Sequence, residues 1–377
     1  MIERRIFEAQ DIPEIVPAWQ ALAERAARSP FESPAWLMAW LRHYGSSWQP
    51  FVLTWWRAGQ LVGVAPLASR SRRIRGIPVR ELEFWGRTDT PLSGWVDVVA
   101  EDGVRDELLA DFAAWLARPS VDWDLFHFLH LAPDALSLAA LTSIPRHWRI
   151  DLTRVLHSLE YTLALPADAS SWQGQLGPKA RHEIRRQMRA FERRMDGRIE
   201  VLTDPGSAGS LVTALRSHGA ERWGEREAYF RRDPIFADFF TDALRGHLQA
   251  RTGWAVVARD PHGLEACLVM MASRSTAVAV MLGVTSKHEY RALSLGKCLF
   301  HEAIGDAAAR GCQTFSFLTE GGYKESFWHA AGRPIASGIV THGAIGWALG
   351  AAIGARRVLP AAIGDAIHGR WADRYRP

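Results

Sequence analysis

The residues best suited to chemistry lie in the short stretch RALSLG, residues 291–296. An apolar run ending near Val284 precedes it, and a helical pattern begins near Leu295, so we predict a turn between a strand and a helix. The first turn of such a helix has unpaired backbone N–H groups and the positive end of the helix dipole. A pyrophosphate group can bind there if no side chain covers the backbone.

Two better-known motifs do not fit this chain. A Walker loop would need a glycine where Arg291 stands and a serine or threonine where Cys298 follows Gly296-Lys297. The sequence also contains no G-x-S-x-G, so a serine hydrolase lacks its usual signature. The competing interpretation of the turn is an ordinary helix entry with Ser294 as the N-cap.

A basic helix is predicted over residues 179–198. Its apolar stripe, at offsets 0, 4, 7 and 11, consists of Ile184, Met188, Phe191 and Met195. A separate stripe at i, i+4 and i+8 consists of Arg181, Arg185 and Arg189. The arginines form either a solvated face or a clamp for an anionic acceptor such as a phosphorylated sugar, a lipid head group or RNA. No aromatic residues alternate with them, so nucleic-acid binding is not expected.

Composition sets wide limits on function. The chain has 377 residues, which is enough for two or three domains. Its net charge of +4 is too small to predict nucleic-acid binding. Three cysteines without metal-ligand spacing, and 14 histidines without H-x-x-x-H, predict no metal site and a reducing compartment. The longest uncharged apolar stretch, residues 343–355, is shorter than the roughly 20 residues of a spanning helix. We expect a cytoplasmic protein, with an in-plane membrane contact by the glycine- and alanine-rich tail as the alternative.

The two halves of the chain share one pattern: helices, a run of antiparallel strands, one helix and a further strand. We therefore predict an α/β (α+β) fold with two tandem lobes, each a mixed, mostly antiparallel sheet flanked by helices. The predicted divisions are residues 1–155, residues 156–340 and a helical tail at residues 341–377. The predicted strands are residues 50–56, 60–70, 80–86, 94–100, 124–131, 161–166, 253–259, 264–273, 276–284 and 312–318.

Five segments in order carry a family resemblance: PFESPAWLMAW, GPKARHEIRRQMRAFERR, SHGAERW, YRALSLGKCLF and FLTEGGYKESFW. Together, from about Pro30 to Trp328, they resemble the CelD/BcsL-type branch of the GCN5-related N-acetyltransferase (GNAT) superfamily. Its members carry two GNAT-like lobes in a layout similar to the FemABX peptidyltransferases. The resemblance implies transfer of an acetyl or other acyl group from acyl-coenzyme A (acyl-CoA), usually to an amine. Polysaccharide (including cellulose), cell-envelope and lipid amines are the acceptors that the family context suggests.

The resemblance also assigns residues to the cofactor. The turn is similar to the R/Q-x-x-G-x-G/A loop that holds the acyl-CoA pyrophosphate, with Ser294 in place of the first glycine. The implied cofactor contacts are Val284, Arg291, Ser294, Leu295, Gly296 and Lys297. In the first half the corresponding stretch reads GRTDTPLSGWVDVV and lacks this loop. We therefore predict a degenerate first lobe that shapes the acceptor cleft, and one cofactor per chain.

The next turn, TEGGYK at residues 319–324, faces the thioester in GNAT folds. Acyl transfer needs a base for the amine and a proton for the departing thiolate. Glu320 is the candidate base, directly or through water, and Tyr323 is the candidate acid. The alternatives are a solvated turn glutamate, a packed tyrosine ring and, for Lys324, an ion pair. The same resemblance suggests substrate contacts by Arg181, Arg185, His218, Trp223 and Lys324.

Two other functions stay open. One is a FemABX-like transferase that uses aminoacyl-tRNA, and the other is a GNAT scaffold that has lost catalysis, for which Ser294 is the best support. The acceptor, the acyl chain length and the oligomeric state are not determined by these residues.

Overall fold

One mixed sheet of 14 strands runs through the structure, which is a computed structural model. It describes residues 2–74, 76–86, 88, 92, 94–118, 121–143, 149–150, 156–223, 230, 233–319, 322–346 and 348. Its strands are β1 Glu3–Glu8, β2 Gln49–Arg57, β3 Gln60–Ile74, β4 Ile77–Phe84, β5 Val99–Ala100, β6 Leu125–Leu131, β7 Arg149–Ile150, β8 Leu156–Ala164, β9 Arg198–Leu202, β10 Gly253–Asp260, β11 Gly263–Ser273, β12 Thr276–Val284, β13 Thr314–Ser316 and β14 Ala331–His342. The main path is β1-β2-β3-β4-β6-β14-β8-β13-β12-β11-β10-β9.

The described helices are α1 Ile12–Ala26, α2 Pro34–Tyr44, α3 Arg105–Leu116, α4 Leu136–Ser143, α5 Pro178–Met195, α6 Ala208–Trp223, α7 Phe236–Gln249, α8 Leu295–Ala309 and α9 Tyr323–Trp328. Helix α2 illustrates how local sequence sets a boundary. The Ser33 hydroxyl accepts a hydrogen bond from the Trp36 N–H at 3.4 Å, and Pro34 occupies the first turn, where its missing N–H costs nothing.

The two halves repeat one supersecondary unit. Strands β2, β3 and β4 are antiparallel, and α3 then leads to β6, which pairs parallel to β4. Strands β10, β11 and β12 are likewise antiparallel, and α8 leads to β13, which pairs parallel to β12. The predicted fold class, a mixed and mostly antiparallel sheet flanked by helices, is confirmed.

Strand β14 differs from the sequence expectation. It pairs antiparallel with β6 from the first half on one side and with β8 on the other, so the sheet is continuous across both halves. It extends to His342 and so runs past the predicted lobe end at residue 340. The predicted boundary at residues 155 and 156 lies beside residues 151–155, which are outside the described part, as are residues 349–377 of the tail.

Helices cover both faces of the second half of the sheet. Helices α5 and α8 pack on one face, against a core that includes Val256, Leu268 and Met270. Helices α6 and α7 pack on the other face, against residues such as Val257 and Val269.

Helix α7 also joins the two halves, because it packs along α2. The Trp36 and Phe239 rings meet edge to face at 4.9 Å, and the Tyr44 hydroxyl donates to Asp233 at 2.5 Å. Buried His247 lies between the hydroxyl oxygens of Ser33, at 3.2 Å, and Thr252, at 2.9 Å.

Candidate functional site

Strands β12 and β13 separate at the centre of the second half. They pair over three residues each, and the last pair is Val278 with Ser316. Beyond that pair β12 continues to Val284, whereas the chain after β13 follows β8: the Phe317 N–H donates to the Tyr161 carbonyl at 2.8 Å. A register shift opposite β11 leaves Val280 as the extra residue of a β-bulge. Separated parallel strands beside a bulge form an opening in the sheet, and such bulges are common next to active sites.

The predicted phosphate turn lies at one end of this opening. Residues 288–293 form a 3₁₀ turn, and α8 begins at Leu295, as predicted. Ser294 adopts φ 46° and ψ 47°, the left-handed conformation that favours glycine, and its hydroxyl makes no capping hydrogen bond. The N-cap interpretation of this hydroxyl is therefore wrong. The Ser294 carbonyl instead accepts from the Lys297 N–H at 2.8 Å.

The turn leaves its backbone accessible. The side chains of Leu293 and Leu295 are buried beneath it, whereas Ser294, Gly296 and Lys297 are partly exposed. Helix geometry gives the N–H groups of Leu295 and Gly296 no intrahelical acceptor. The structure thus presents open N–H donors at the positive end of a 15-residue helix, a donor set that fits a pyrophosphate.

Gly296 and Val284, two of the predicted cofactor contacts, are brought together. A Cβ atom added to Gly296 would lie 3.4 Å from Leu282 Cδ2 and 3.6 Å from Val284 Cγ2. Helix α8 therefore begins directly against the end of β12. Arg291 is exposed in the 3₁₀ turn. Lys297 directs its ammonium group to Glu183 of α5 at 3.1 Å and over the Phe327 ring at 4.5 Å.

Three side-chain pairs brace the segment between β12 and the phosphate turn. Glu221 accepts from the backbone N–H and the hydroxyl of Ser286, both at 3.2 Å. The Lys287 ammonium lies 2.7 Å from Glu265, which sits at a bulge in β11. The Tyr290 hydroxyl donates to Asp260 of β10. Helix α6 and strands β11 and β10 thus each hold one point of this segment.

Electrostatics agree with this bracing. Burial and the hydrogen bond to Asp260 raise the pKa of Tyr290 well above its usual value, so the phenol stays protonated and keeps donating. Burial opposes ionisation of Asp260, but the hydrogen bond from Tyr290 and those from the backbone N–H groups of His262 and Gly263 together lower the pKa of that carboxyl. The hydrogen bond to Glu265 raises the pKa of Lys287. Sequence reasoning missed these residues, although Glu265 could have been noticed as a carboxylate within an apolar strand.

The proposed chemical turn is only partly described. Glu320 lies outside the described residues, and Tyr323 begins α9 with a side chain that is likewise not described. Lys324 is buried, with its ammonium group 4.7 Å from the Phe300 ring of α8 and 5.3 Å from the Phe317 ring. This predicted substrate contact therefore lies inside the second-half core beside α8.

The other predicted substrate contacts lie on two helices. His218 of α6 is buried beside Gly283 of β12, and its Nε2 donates to the Leu264 carbonyl at 2.9 Å. Trp223 ends the same helix, and its side chain is outside the described part. On α5, Arg181 is half-buried and Arg185 is exposed.

The cysteine thiols are not activated. Cys298 lies in the first turn of α8, where a helix N-terminus can favour a thiolate. It is instead fully buried, and burial raises its pKa to about 12. Burial also raises the pKa of Cys267 and Cys312. In the described part of the chain, no group of three or more His, Cys, Asp or Glu side chains is arranged to hold a metal ion.

A family model described as "Acetyltransferase (GNAT) domain" matches residues 178–325, from α5 through the phosphate turn to α9. Residues 178–325 form a GNAT-type acetyltransferase domain. The match begins at α5 and ends inside α9, so the GNAT domain contains both the opening between β12 and β13 and the turn. The presence of this domain supports the prediction that the protein is a transferase. No curated protein matches the sequence significantly.

Solved structures share the fold over nearly the whole chain. FemX is similar with a TM-score of 0.58 and 9% identity, covering 86% of this chain and 95% of FemX. The C-terminal domain of a putative lysylphosphatidylglycerol synthetase from Agrobacterium fabrum is similar with a TM-score of 0.51 and 12% identity, covering 89% and 95%. A tandem GNAT protein from the clavulanic acid biosynthesis pathway matches with a TM-score of 0.43 and 12% identity, covering 90% and 98%. At such identities the likeness to FemX and to the synthetase domain is one of fold. Among the described residues, no helix has the length and apolar character needed to cross a membrane.

Proposed function

We propose that this protein is an acyl-CoA-dependent N-acyltransferase of the CelD/BcsL type. It would transfer an acetyl or longer acyl group directly to an amine of a polysaccharide, cell-envelope or lipid-related acceptor. The observation that carries the proposal is the open helix N-terminus at residues 294–296, placed at the separation of β12 and β13 inside a GNAT-type domain.

In the proposed reaction the N–H groups of Leu295 and Gly296 hold the pyrophosphate, with Val284, Arg291, Ser294 and Lys297 around it. Bound acyl-CoA supplies the activated acyl group as a thioester. Glu320, directly or through water, takes a proton from the acceptor amine, and Tyr323 returns a proton to the departing thiolate sulfur. Arg181, Arg185, His218, Trp223 and Lys324 are the proposed acceptor contacts. Since the first half lacks an equivalent turn, we expect one cofactor per chain.

Calorimetric titration with acetyl-, short-chain and long-chain acyl-CoA tests the proposal. Wild type is compared with Gly296→Trp, in which a large side chain would stand among the phosphate donors. Gly103→Trp is the matched control, because Gly103 is exposed in the first half and nothing lies within 4 Å of its added Cβ. We expect saturable binding by wild type and the control, and its loss in Gly296→Trp with an unchanged circular dichroism spectrum. A folded wild type that binds no acyl-CoA would overturn the proposal.

A second candidate is a FemABX-like transferase that uses aminoacyl-tRNA, and the fold likeness to FemX favours it. Such an enzyme would bind RNA with a strong salt dependence and ignore acyl-CoA. A chain that binds neither would favour the third alternative, a non-catalytic scaffold.

A further inference from the structure

Helix α5 presents a strongly basic surface of which the proposed reaction uses only Arg185. Five residues lie within about 100° of arc on this helix and span about 16 Å along its axis. They are His182, Arg185, Arg186, Arg189 and Arg193, here called the basic face. All five are exposed.

The basic face points away from the molecule. The buried residues of α5, Ile184, Gln187 and Phe191, lie on the opposite side of the helix and pack against the core beside α8. Each arginine of the basic face therefore projects outward from the side that anchors the helix.

Charge on this face is not balanced locally. Among the described residues, no carboxylate forms an ion pair with any of its four arginines, although many other arginines of the chain are paired. Glu183 at one border is engaged with Lys297, and exposed Glu192 stands at the other border. The formal net charge of the whole chain is +4, so these four arginines equal its entire excess of positive charge. Such a concentration disfavours the compact protein by self-repulsion unless an anion binds to it.

We propose that the basic face docks the protein on an anionic lipid surface. Guanidinium groups pair in bidentate fashion with phosphate oxygens, and a row on the outside of one helix meets a plane of lipid phosphates along its full length. The face carries no large apolar side chain, so the helix lies against the head groups without inserting, and salt releases it. Apart from His182 it has no ring on which a base could stack, which separates it from single-stranded nucleic-acid surfaces.

Vesicle co-sedimentation tests the docking. The full chain is mixed with phosphatidylcholine vesicles with and without phosphatidylglycerol, at low and at physiological salt. The variant Arg186→Gln/Arg189→Gln/Arg193→Gln is compared with Arg118→Gln/Arg216→Gln/Arg251→Gln, which loses the same charge at exposed positions outside α5. Gln keeps helix propensity close to that of Arg, and circular dichroism confirms that both variants are folded.

We expect wild type and the control to bind phosphatidylglycerol vesicles and not pure phosphatidylcholine. The α5 variant should bind roughly a hundredfold more weakly, since each arginine near an anionic surface contributes roughly fivefold. If both variants lost vesicle binding equally, net charge alone would explain the loss, and the proposal would be overturned. Indifference of wild type to phosphatidylglycerol would also overturn it, and polyuridylate binding lost in the α5 variant would then assign the face to RNA.

Discussion

The carbonyl oxygen of Ser294 accepts a hydrogen bond from the N–H of Lys297 at 2.8 Å, across a turn in which Ser294 itself is left-handed. A residue with a Cβ atom is thus held in a backbone conformation that favours glycine, at the position where the resembled loop has glycine.

Replacing Ser294 by glycine should therefore relieve strain. We expect the free energy of unfolding of Ser294→Gly to exceed that of Ser294→Ala by about 1 kcal/mol, because both lose the hydroxyl but only glycine avoids the Cβ clash. Chemical denaturation measures the difference. Acyl-CoA affinity should be retained in Ser294→Gly, and a lower stability than Ser294→Ala would contradict the assigned conformation.

The contact between α2 and α7 should not tolerate a side chain at Gly246. A Cβ atom there would lie 3.2 Å from the Ala35 Cβ, so Gly246→Leu should force the two helices apart and cost about 1–3 kcal/mol. Gly219→Leu on α6 is the control, since nothing lies within 4 Å of its added Cβ. Thermal unfolding should show a lower Tm for the first variant and an unchanged or higher Tm for the second. Equal Tm values would argue against this packing.

Buried Glu32 should destabilise the protein at alkaline pH. Burial, and then the nearby Asp97, raise its pKa to about 8 from 4.5. When a carboxyl has a raised pKa in the folded state, the folded protein loses stability as the pH rises from 4.5 towards 8, because the same carboxyl ionises at lower pH in the unfolded chain. The stability of Glu32→Gln relative to wild type should therefore increase by at least about 1 kcal/mol between pH 5 and 8. Exposed Glu24→Gln should show no such trend.

The effect of His247 on stability should have the opposite pH dependence. Burial lowers its pKa to about 4 from 6.5. The stability contributed by the neutral side chain is therefore complete above pH 6.5 and is lost as the pH falls towards 4. Measured against His247→Gln, wild type should lose up to about 3 kcal/mol of its advantage between pH 7 and pH 4. Denaturation curves at several pH values measure it, with exposed His262→Gln as the control. A difference that does not change with pH would contradict the burial.

The repeated unit could be predicted because each part has its own periodic signal. The apolar runs of β10, β11 and β12 and the capped start of α2 are local features, and the structure reproduces them. Strand β14 could not be predicted, since Gly332, Pro334 and Gly338 interrupt its pattern and its partners are β6 and β8, far away in sequence. Its pairing is a property of the tertiary structure.

The turn between β12 and α8 could be predicted, because a strand end, a turn and a helix start have a recognisable order, whereas its binding of phosphate stays a prediction. The contacts that brace this turn could not be predicted, because Lys287 and Glu265 are 22 positions apart and Tyr290 and Asp260 are 30 positions apart in the sequence. The β-bulge at Glu265 determines which residues are in contact here, and no local sequence pattern predicts that bulge.

The placement of β14 also has a consequence for synthesis on the ribosome. While residues 1 to about 330 emerge, β6 presents an uncovered strand edge whose N–H and C=O groups can pair with other chains. The first half cannot complete its sheet until the last described strand has left the exit tunnel, so folding is governed by contacts between distant parts of the chain. A nascent chain stalled before residue 331 should accordingly recruit chaperones, and separate expression of either half should yield aggregates.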